Sequence, residues 1–510
     1  MELGTGGGGL PETDVESIAG GLVPRMIRVT VAMAGSGAIV IALAAVRSKF
    51  VAVDLGPQGI GILTLLISLI AFAGVVFGLG LGTGAIKEIA AAEAHGRQRW
   101  RDQIRASLYA LSLLLALVAA AVIVLFAGTI ADALGSRGLE DKVRLCAIAV
   151  AAGLVGAAAE ADLNGFRRIR TLAMIRPLGA FIATIAAAVA WLAGADLLAV
   201  VLLAPTLATA VIAIGATRSL PRVDAAWSVE QLRRPARSLI HIGVPFALNS
   251  LLATAGALLL RILIEADLGL SGVGEFQAAF AIATYYVSFI FAALATDYLP
   301  LVSGMAEDEV RLNQAANTQL LVAILISAPL VMLMIAGAPT VISLLYSSSF
   351  EESPVLLQLM LLGELARIAA WTLGYILVAR AARGMFVATE LLYNGFLIGA
   401  TAGLIPIFGI KGTAVAYLGC QVGSLLWTLV FVNRVSNFRL TRTNTLNLIG
   451  YGAGAGIVGA AVAAGGVAAL LGWGLALATA VVAIITLLHH LPDASDRLRR
   501  LLRMGAAAIV

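Results

Sequence analysis

Residues 49–86 read KFVAVDLGPQGIGILTLLISLIAFAGVVFGLGLGTGAI. The run from 58 to 86 exceeds the about 20 apolar residues that carry a helix across a bilayer. It follows the turn signal DLGPQG at 54–59, and before that turn another apolar run reaches back to residue 27. Two such runs joined by a Gly/Pro turn make a transmembrane hairpin. Open strands would leave backbone groups unpaired in lipid, so the fold class is all-α.

Runs of this kind fill the chain. Fourteen transmembrane helices are expected, at 27–53, 58–86, 104–127, 143–165, 171–193, 197–217, 239–262, 275–299, 317–337, 355–379, 385–407, 411–432, 446–470 and 474–490. GSRG (135–138), AGAD (193–196), DLGLSG (267–272), IFGIKG (407–412) and LGWG (471–474) read as further turns. Of 510 residues, 60% are hydrophobic and 12% charged, against about 45–50% and 25% in soluble domains. That balance excludes a cytosolic or secreted enzyme. The 54 glycines let helices approach closely in lipid, where the hydrophobic effect does not drive association. Cys146 and Cys420 lie in apolar runs, so no disulfide framework is expected. The four histidines lack metal-ligand spacing, and no metal is expected.

Residues 1–24 are Gly-rich and acidic, with no basic segment leading an apolar core. They read as a disordered cytoplasmic tail and not as a signal peptide. Of the 34 Lys and Arg, 26 fall in segments on the side of the N-terminus and four in loops on the other. This orients a multi-pass protein with both termini inside. The net charge of +5 is then a topology signal and no argument for nucleic-acid binding.

The pattern Asp-Leu-Gly-x-x-Gly-x-Gly occurs at 54–61 and again at 267–274, 213 residues later. Each copy joins two spans, and each follows a span with a cation near its end: Arg47 and Lys49 in one, Arg261 in the other. GTIADALGS (128–136) and APTVISLLYSSS (338–349) hold similar places further on. Two six-helix lobes of the same orientation follow, at 25–217 and 239–434. A cytoplasmic linker at 218–238 joins them. Two extra C-terminal helices lie at 445–490, and 491–510 is a cytoplasmic tail.

A charge at mid-span costs about 2.5–3.5 kcal/mol on insertion scales, so such residues should face a bundle interior or a wet cavity. Glu364 and Arg367, at i,i+3 near the middle of the tenth span, read either as a cavity pair or ion relay, or as a neutralised structural pair. Arg47, Lys49 and Arg261 read either as snorkelling to headgroups or as a cationic lining for an anionic substrate, whose phosphate oxygens suit a guanidinium fork. Glu390 and Asn394 share a face of the eleventh span, as a coupling site or a pair with Arg383. Glu160, Asp162 and Asp297 fit contacts with basic loops. Pro245 should kink the seventh span, making Pro245 and Asn249 gating candidates. GLGLGTG (78–84) follows no strand and reads as close helix packing. No Ser/His/Asp set or acidic metal cluster occurs in any loop.

KFVAVDLGPQGIGIL (49–63), GLGLGTGAIKEIA (78–90), LNGFRR (163–168), DYLPLVSGMAED (297–308), LLYSSSF (344–350) and GELARIAAWTLGYILVARAARGMFVATE (363–390) running into LIPIFGIKGTAVAYLG (404–419) together resemble Wzx-type O-antigen flippases. These belong to the multidrug/oligosaccharidyl-lipid/polysaccharide (MOP) exporter superfamily. The resemblance covers twelve spans. It implies a central cavity between two lobes and movement of an undecaprenyl-pyrophosphate-linked oligosaccharide across a bacterial inner membrane. It also implies a transporter and not an enzyme. Members resemble this chain in a basic residue at Lys49, an arginine at Arg261, an acid and a base at Glu364 and Arg367, and a glutamate at Glu390.

The expected mechanism is alternating access with Arg47, Lys49, Arg261 and Arg367 neutralising pyrophosphate in one shared chamber. Glu364 and Glu390 would moderate the field or bind a coupling H+ or Na+; no other cofactor is expected. Expected partners are the lipid-linked substrate, membrane lipids, a polysaccharide polymerase and a chain-length regulator. A lipid II flippase or an ion-coupled drug antiporter of the same superfamily is the alternative. A membrane polysaccharide polymerase or ligase would need a larger external loop than the chain carries.

Overall fold

The structure is a computed structural model. It describes the backbone of residues 12–135, 138–222 and 228–490, and their side chains except at 12–34, 229, 286–297, 299–300, 383, 386 and 488–490. The tail at 491–510, Arg137 and the side chains of Asp297 and Arg383 lie outside the described residues. No strand occurs among those described.

The chain runs α1 (Glu12–Gly78), α2 (Leu81–Ala94), α3 (Gln98–Leu125), α4 (Ala127–Ala133), α5 (Glu140–Gly165), α6 (Ile169–Leu192), α7 (Leu197–Ala216), α8 (Val229–Gly304), α9 (Glu309–Leu345), α10 (Ser353–Ala379), α11 (Arg383–Phe408), α12 (Lys411–Ser436), α13 (Arg442–Ala464) and α14 (Gly466–His490). Twelve of the described helices are long and apolar enough to cross a membrane. Two of them are far too long to cross once: α1 has 67 residues and α8 has 76. At 1.5 Å per residue the shorter would reach about 100 Å, against a hydrocarbon core of about 30 Å. Each is broken at one glycine: Gly56 (φ 61°, ψ −158°) in α1 and Gly269 (φ 70°, ψ 179°) in α8. That backbone region is open essentially to glycine alone. The two breaks divide α1 and α8 into two segments each, which fits the expected fourteen spans approximately. Both glycines are the third residue of the repeated motif, so the expected loops at 54–59 and 267–272 are single-residue breaks.

Other boundaries move for similar local reasons. The second span ends at Gly78, not 86, because Leu79 (φ 48°) and Gly80 (φ 67°) turn the chain before α2. The turn expected at LGWG lies earlier, at Gly465 and Gly466, both with positive φ; Gly472 stays helical and packs on Ala461. The linker is shorter than 218–238. Ser228 caps α8 in a reciprocal capping box with Gln231, so the helix starts ten residues before the expected span. The helix α1 starts at Glu12, inside the segment expected as a tail. Pro245 does not break α8, whose only non-helical residue is Gly269. Proline's fixed φ suits a helix, so the ring clash and lost hydrogen bond that bend a helix need not take the backbone out of the helical region.

In the first lobe α3, α5, α6 and α7 pack around α1. In the second, α9, α10, α11 and α12 gather with α8, and α13 and α14 lie on α9. Polar ties hold α13 there: Asn317 Oδ1 on α9 accepts from Thr441 N (3.0 Å) and Asn444 Nδ2 (3.1 Å). Glu275, just past the second repeat copy, is buried and accepts from Ser353 N at 2.8 Å, capping α10. One apolar core runs through both lobes, joining Leu65 and Leu66 of α1 to Phe276 of α8 and Leu356 of α10. Leu117, Leu192, Val211, Leu344 and Ile407 stand exposed around it, a surface that suits lipid and not water.

The lobes meet mainly where α1 and α2 pack on α8. A Cβ at Gly80 would overlap the carbonyl of Gly243, and one at Gly84 would press on Leu239 O. GLGLGTG is thus a close-packing seam, as its composition indicates.

Candidate functional site

Three of the hollows among the described helices bear on the expected site; another, between α11 and α12, has an apolar lining that includes Leu391, Phe396 and Trp427. The first lies within the first lobe, between α1, α5, α6 and α7, with about 330 Å³ of space, and its lining includes Arg47, Glu160, Arg176, Thr206 and Thr209. Arg47 is buried and donates from Nη1 to Ala180 O and Thr184 Oγ1, both at 3.0 Å. Arg176 Nη2 donates to Glu160 Oε2 at 2.9 Å. Two guanidiniums against one carboxylate give this hollow a surplus positive charge; Arg47 is buried, whereas Arg176 is exposed.

The second lies within the second lobe, between α10, α11 and α12, with about 480 Å³ of space, and Arg367, Glu390, Tyr393 and Gln421 are part of its lining. Behind it sits Glu364, 0% exposed. Arg367 Nη1 donates to Glu364 Oε2 at 3.2 Å, and Tyr417 Oη donates to Glu364 Oε1 at 2.5 Å. Gln421 Nε2 reaches Tyr393 Oη at 3.3 Å. Here one arginine faces two carboxylates, the reverse of the first lobe's balance. Asn394 donates to Glu390 O at 2.9 Å and packs against Gly256 of α8.

The third lies between the lobes, is smaller at about 230 Å³, and is lined by uncharged residues, among them Phe77, Ser112, Phe246 and Ser250. The expectation of one chamber lined by cations from both lobes is therefore corrected. Glycine contacts close the lobes face to face, and Arg47 and Arg367 line separate hollows, one per lobe. Lys49 and Arg261 line neither. Arg261 is buried over the Phe280 ring (5.8 Å to its centre), donating to Ala257 O (2.7 Å) and Gln277 Oε1 (2.8 Å). Lys49 Nζ reaches across the lobes to Ser343 O at 2.9 Å. Pro245 and Asn249 are exposed and line none of the three hollows.

Among the described residues Asp162 pairs with a base on a helix and not on a loop. Arg105 of α3 holds it through Nε to Oδ1 at 2.8 Å and Nη2 to Oδ2 at 3.0 Å, Tyr109 adds a bond at 3.0 Å, and Arg105 Nη1 also binds Pro221 O at 2.7 Å. This network ties the start of the linker to the first lobe. Arg105 and Arg176 count only as positive charges near the inner membrane face when the sequence is read alone, and nothing local marks Tyr417. Both cysteines are free and buried. Among the described residues no three His, Cys, Asp or Glu gather as a metal site.

Two helical lobes joined by a linker match the fold of solved MOP-superfamily transporters. The lipid II flippase MurJ, in its inward closed conformation, superposes with a TM-score of 0.67 at 12% identity, over 91% of this chain and 99% of that one. A multidrug resistance MATE family transporter of the MOP superfamily, in an inward-facing conformation, gives 0.64 at 15%, over 78% and 95%. The sequence model of the polysaccharide biosynthesis protein family matches residues 50–354, and the chain belongs to that family. It is 24% identical over 383 residues to the lipid III flippase of Escherichia coli (strain K12), 73% of this chain and 90% of that protein; the lipid III flippase of Shigella flexneri matches equally. These named relatives are flippases and transporters and not enzymes.

Proposed function

We propose that the protein moves an undecaprenyl-pyrophosphate-linked oligosaccharide from the cytoplasmic to the periplasmic leaflet of a bacterial inner membrane, for O-antigen or exopolysaccharide assembly. The observation that carries this reading is the positive hollow of the first lobe, with Arg47 buried at its wall. A sugar–pyrophosphate head cannot cross hydrocarbon unaided, because desolvating its charge costs far too much. Arginine matches phosphate oxygens with two parallel donors. The polyprenyl tail stays in lipid while the head passes between lobes that open alternately. Both termini face the cytoplasm, as the basic segments indicate. Arg261 and Arg367 meet the head as the lobes part, and Pro245 and Asn249 border the moving seam. Glu364 and Glu390, in the acid-rich second lobe, bind the coupling H+ or Na+. A polymerase and a chain-length regulator take the product.

The flippase reading draws further support from the lipid III flippase relatives, which align over 90% of their length. The test is reconstitution into proteoliposomes with defined lipids. Transport of a pyrophosphate-linked oligosaccharide, exceeding that of lipid II and of cationic drugs, is the expected result. Transport of lipid II alone, or of drugs alone, would replace this reading with the corresponding alternative.

A further inference from the structure

We propose that Lys49 latches the two lobes together at the Gly56 end of the bundle, and that the anionic group of the transported lipid releases it. Lys49 belongs to the first lobe, and its Nζ donates to Ser343 O in the last turn of α9, in the second lobe, at 2.9 Å. Last-turn carbonyls lack helical partners and carry the negative end of the helix dipole, so a cation is well placed there. Two neighbours extend the same seam. Ser347 Oγ donates to Ala52 O at 3.2 Å, and a Cβ at Gly56 would touch Ser349 Oγ at 3.7 Å. Lys49, Ala52 and Gly56 are spaced i, i+3 and i+7, one stripe of α1, and all three face the end of α9.

What Lys49 lacks is a counter-ion. Among the described residues its hydrogen bond is to a neutral carbonyl, and no carboxylate lies within ion-pair distance. A diphosphate offers the ammonium a charge-assisted bond roughly twice as strong as a neutral one. An anionic head arriving between the lobes therefore outcompetes Ser343, and the seam loses its cross-lobe tie when substrate is present. Opening at this end, the periplasmic end on the proposed topology, is then coupled to occupancy. The latch stands on geometry alone; its release rests on the pyrophosphate reading above.

Ala52 sits under the latch at 1% exposure, so its accessibility reports the state of the seam. The experiment uses the full chain in proteoliposomes carrying Cys146→Ala, Cys420→Ala and Ala52→Cys, labelled by a membrane-impermeant maleimide. With Lys49 present, labelling should be slow. Lys49→Met should speed it about fivefold, the weight of about 1 kcal/mol in an equilibrium, and Lys49→Arg should keep it slow. Undecaprenyl pyrophosphate should speed labelling when Lys49 is present and change nothing in Lys49→Met, whereas uncharged undecaprenol should have no effect. Equal labelling with Lys49 and with Met would overturn the latch. Equal effects of the two lipids would overturn the release while leaving the latch. Absence of oligosaccharide transport beside a working, anion-sensitive latch would count against the proposed substrate alone.

Discussion

Gly61 and Gly274 hold the same place in the two copies of the repeat, and each lies beneath a backbone carbonyl of the other copy. A Cβ at Gly61 would overlap Leu270 O, and one at Gly274 would overlap Pro57 O. Pro57 and Leu270 are themselves equivalent positions. The contact is thus reciprocal, as a pseudo-twofold axis through the seam requires, and it is made by backbone on backbone with no side chain to yield.

Alanine at either glycine should therefore weaken the junction between lobes. Overpacking of this kind costs about 1–3 kcal/mol. Gly403→Ala is the control: nothing lies within 4 Å of its Cβ position, and alanine there should gain up to about 1 kcal/mol of helix stability. Thermal unfolding in detergent checks the contrast. Equal midpoints for Gly61→Ala and Gly403→Ala would mean that the junction is not tight.

Arg367→Ala strands the Glu364 carboxylate with Tyr417 Oη in a site that is 0% exposed. Removing one partner of a buried pair costs about 3–5 kcal/mol. Adding Glu364→Gln should restore much of that stability, because the orphaned charge is gone. Transport should stay lost in the double variant if Arg367 also touches substrate. A double-mutant cycle on unfolding, run beside transport, separates the two contributions.

The Arg105–Asp162 pair should behave as structure alone. Arg105→Ala should cost about 3–5 kcal/mol, and Tyr109→Phe about 1 kcal/mol for one lost hydrogen bond. Transport per folded molecule should not change in Tyr109→Phe. Expression yield, melting and a transport rate normalised to folded protein check this.

Asp196, in the turn before α7, accepts from Ala199 N at 3.1 Å and pairs with Lys142. Partial burial acts to raise its pKa, but the Lys142 and backbone hydrogen bonds outweigh burial and hold the carboxyl below its usual value. A depressed carboxylate stabilises the fold above its unfolded pKa of about 3.9, and that contribution is lost as pH falls through the lower folded value. Asp196→Ala should cost about 1 kcal/mol as a lost cap. The deficit should be full at neutral pH and shrink below about pH 4. Melting of both proteins across that range checks it.

The sequence is legible wherever structure is local. Apolar runs place the helices, and the twice-written DLGxxGxG places the two breaks and the seam they form. What stays hidden is contact at long range. Tyr417 meets Glu364 across 53 residues, Arg105 meets Asp162 across 57, and Lys49 meets Ser343 across 294. Helical periodicity reports neighbours three and four residues away and nothing beyond. The candidate cations are identifiable because charge is rare in lipid, but whether they converge depends on how the lobes close. The Gly80–Gly243 contact settles that closure, and neither glycine advertises its partner.

The most direct measurement of the central claim is the rate at which proteoliposomes translocate a pyrophosphate-linked oligosaccharide with Arg47, Arg47→Lys and Arg47→Ala. Among the described residues Arg47 bonds neutral groups alone, Ala180 O and Thr184 Oγ1, so its loss strands no carboxylate among them and the protein should still fold. The account predicts a loss of about tenfold or more in Arg47→Ala, the weight of about 1.4 kcal/mol, with partial recovery in Arg47→Lys. An unchanged rate in correctly folded Arg47→Ala would contradict it.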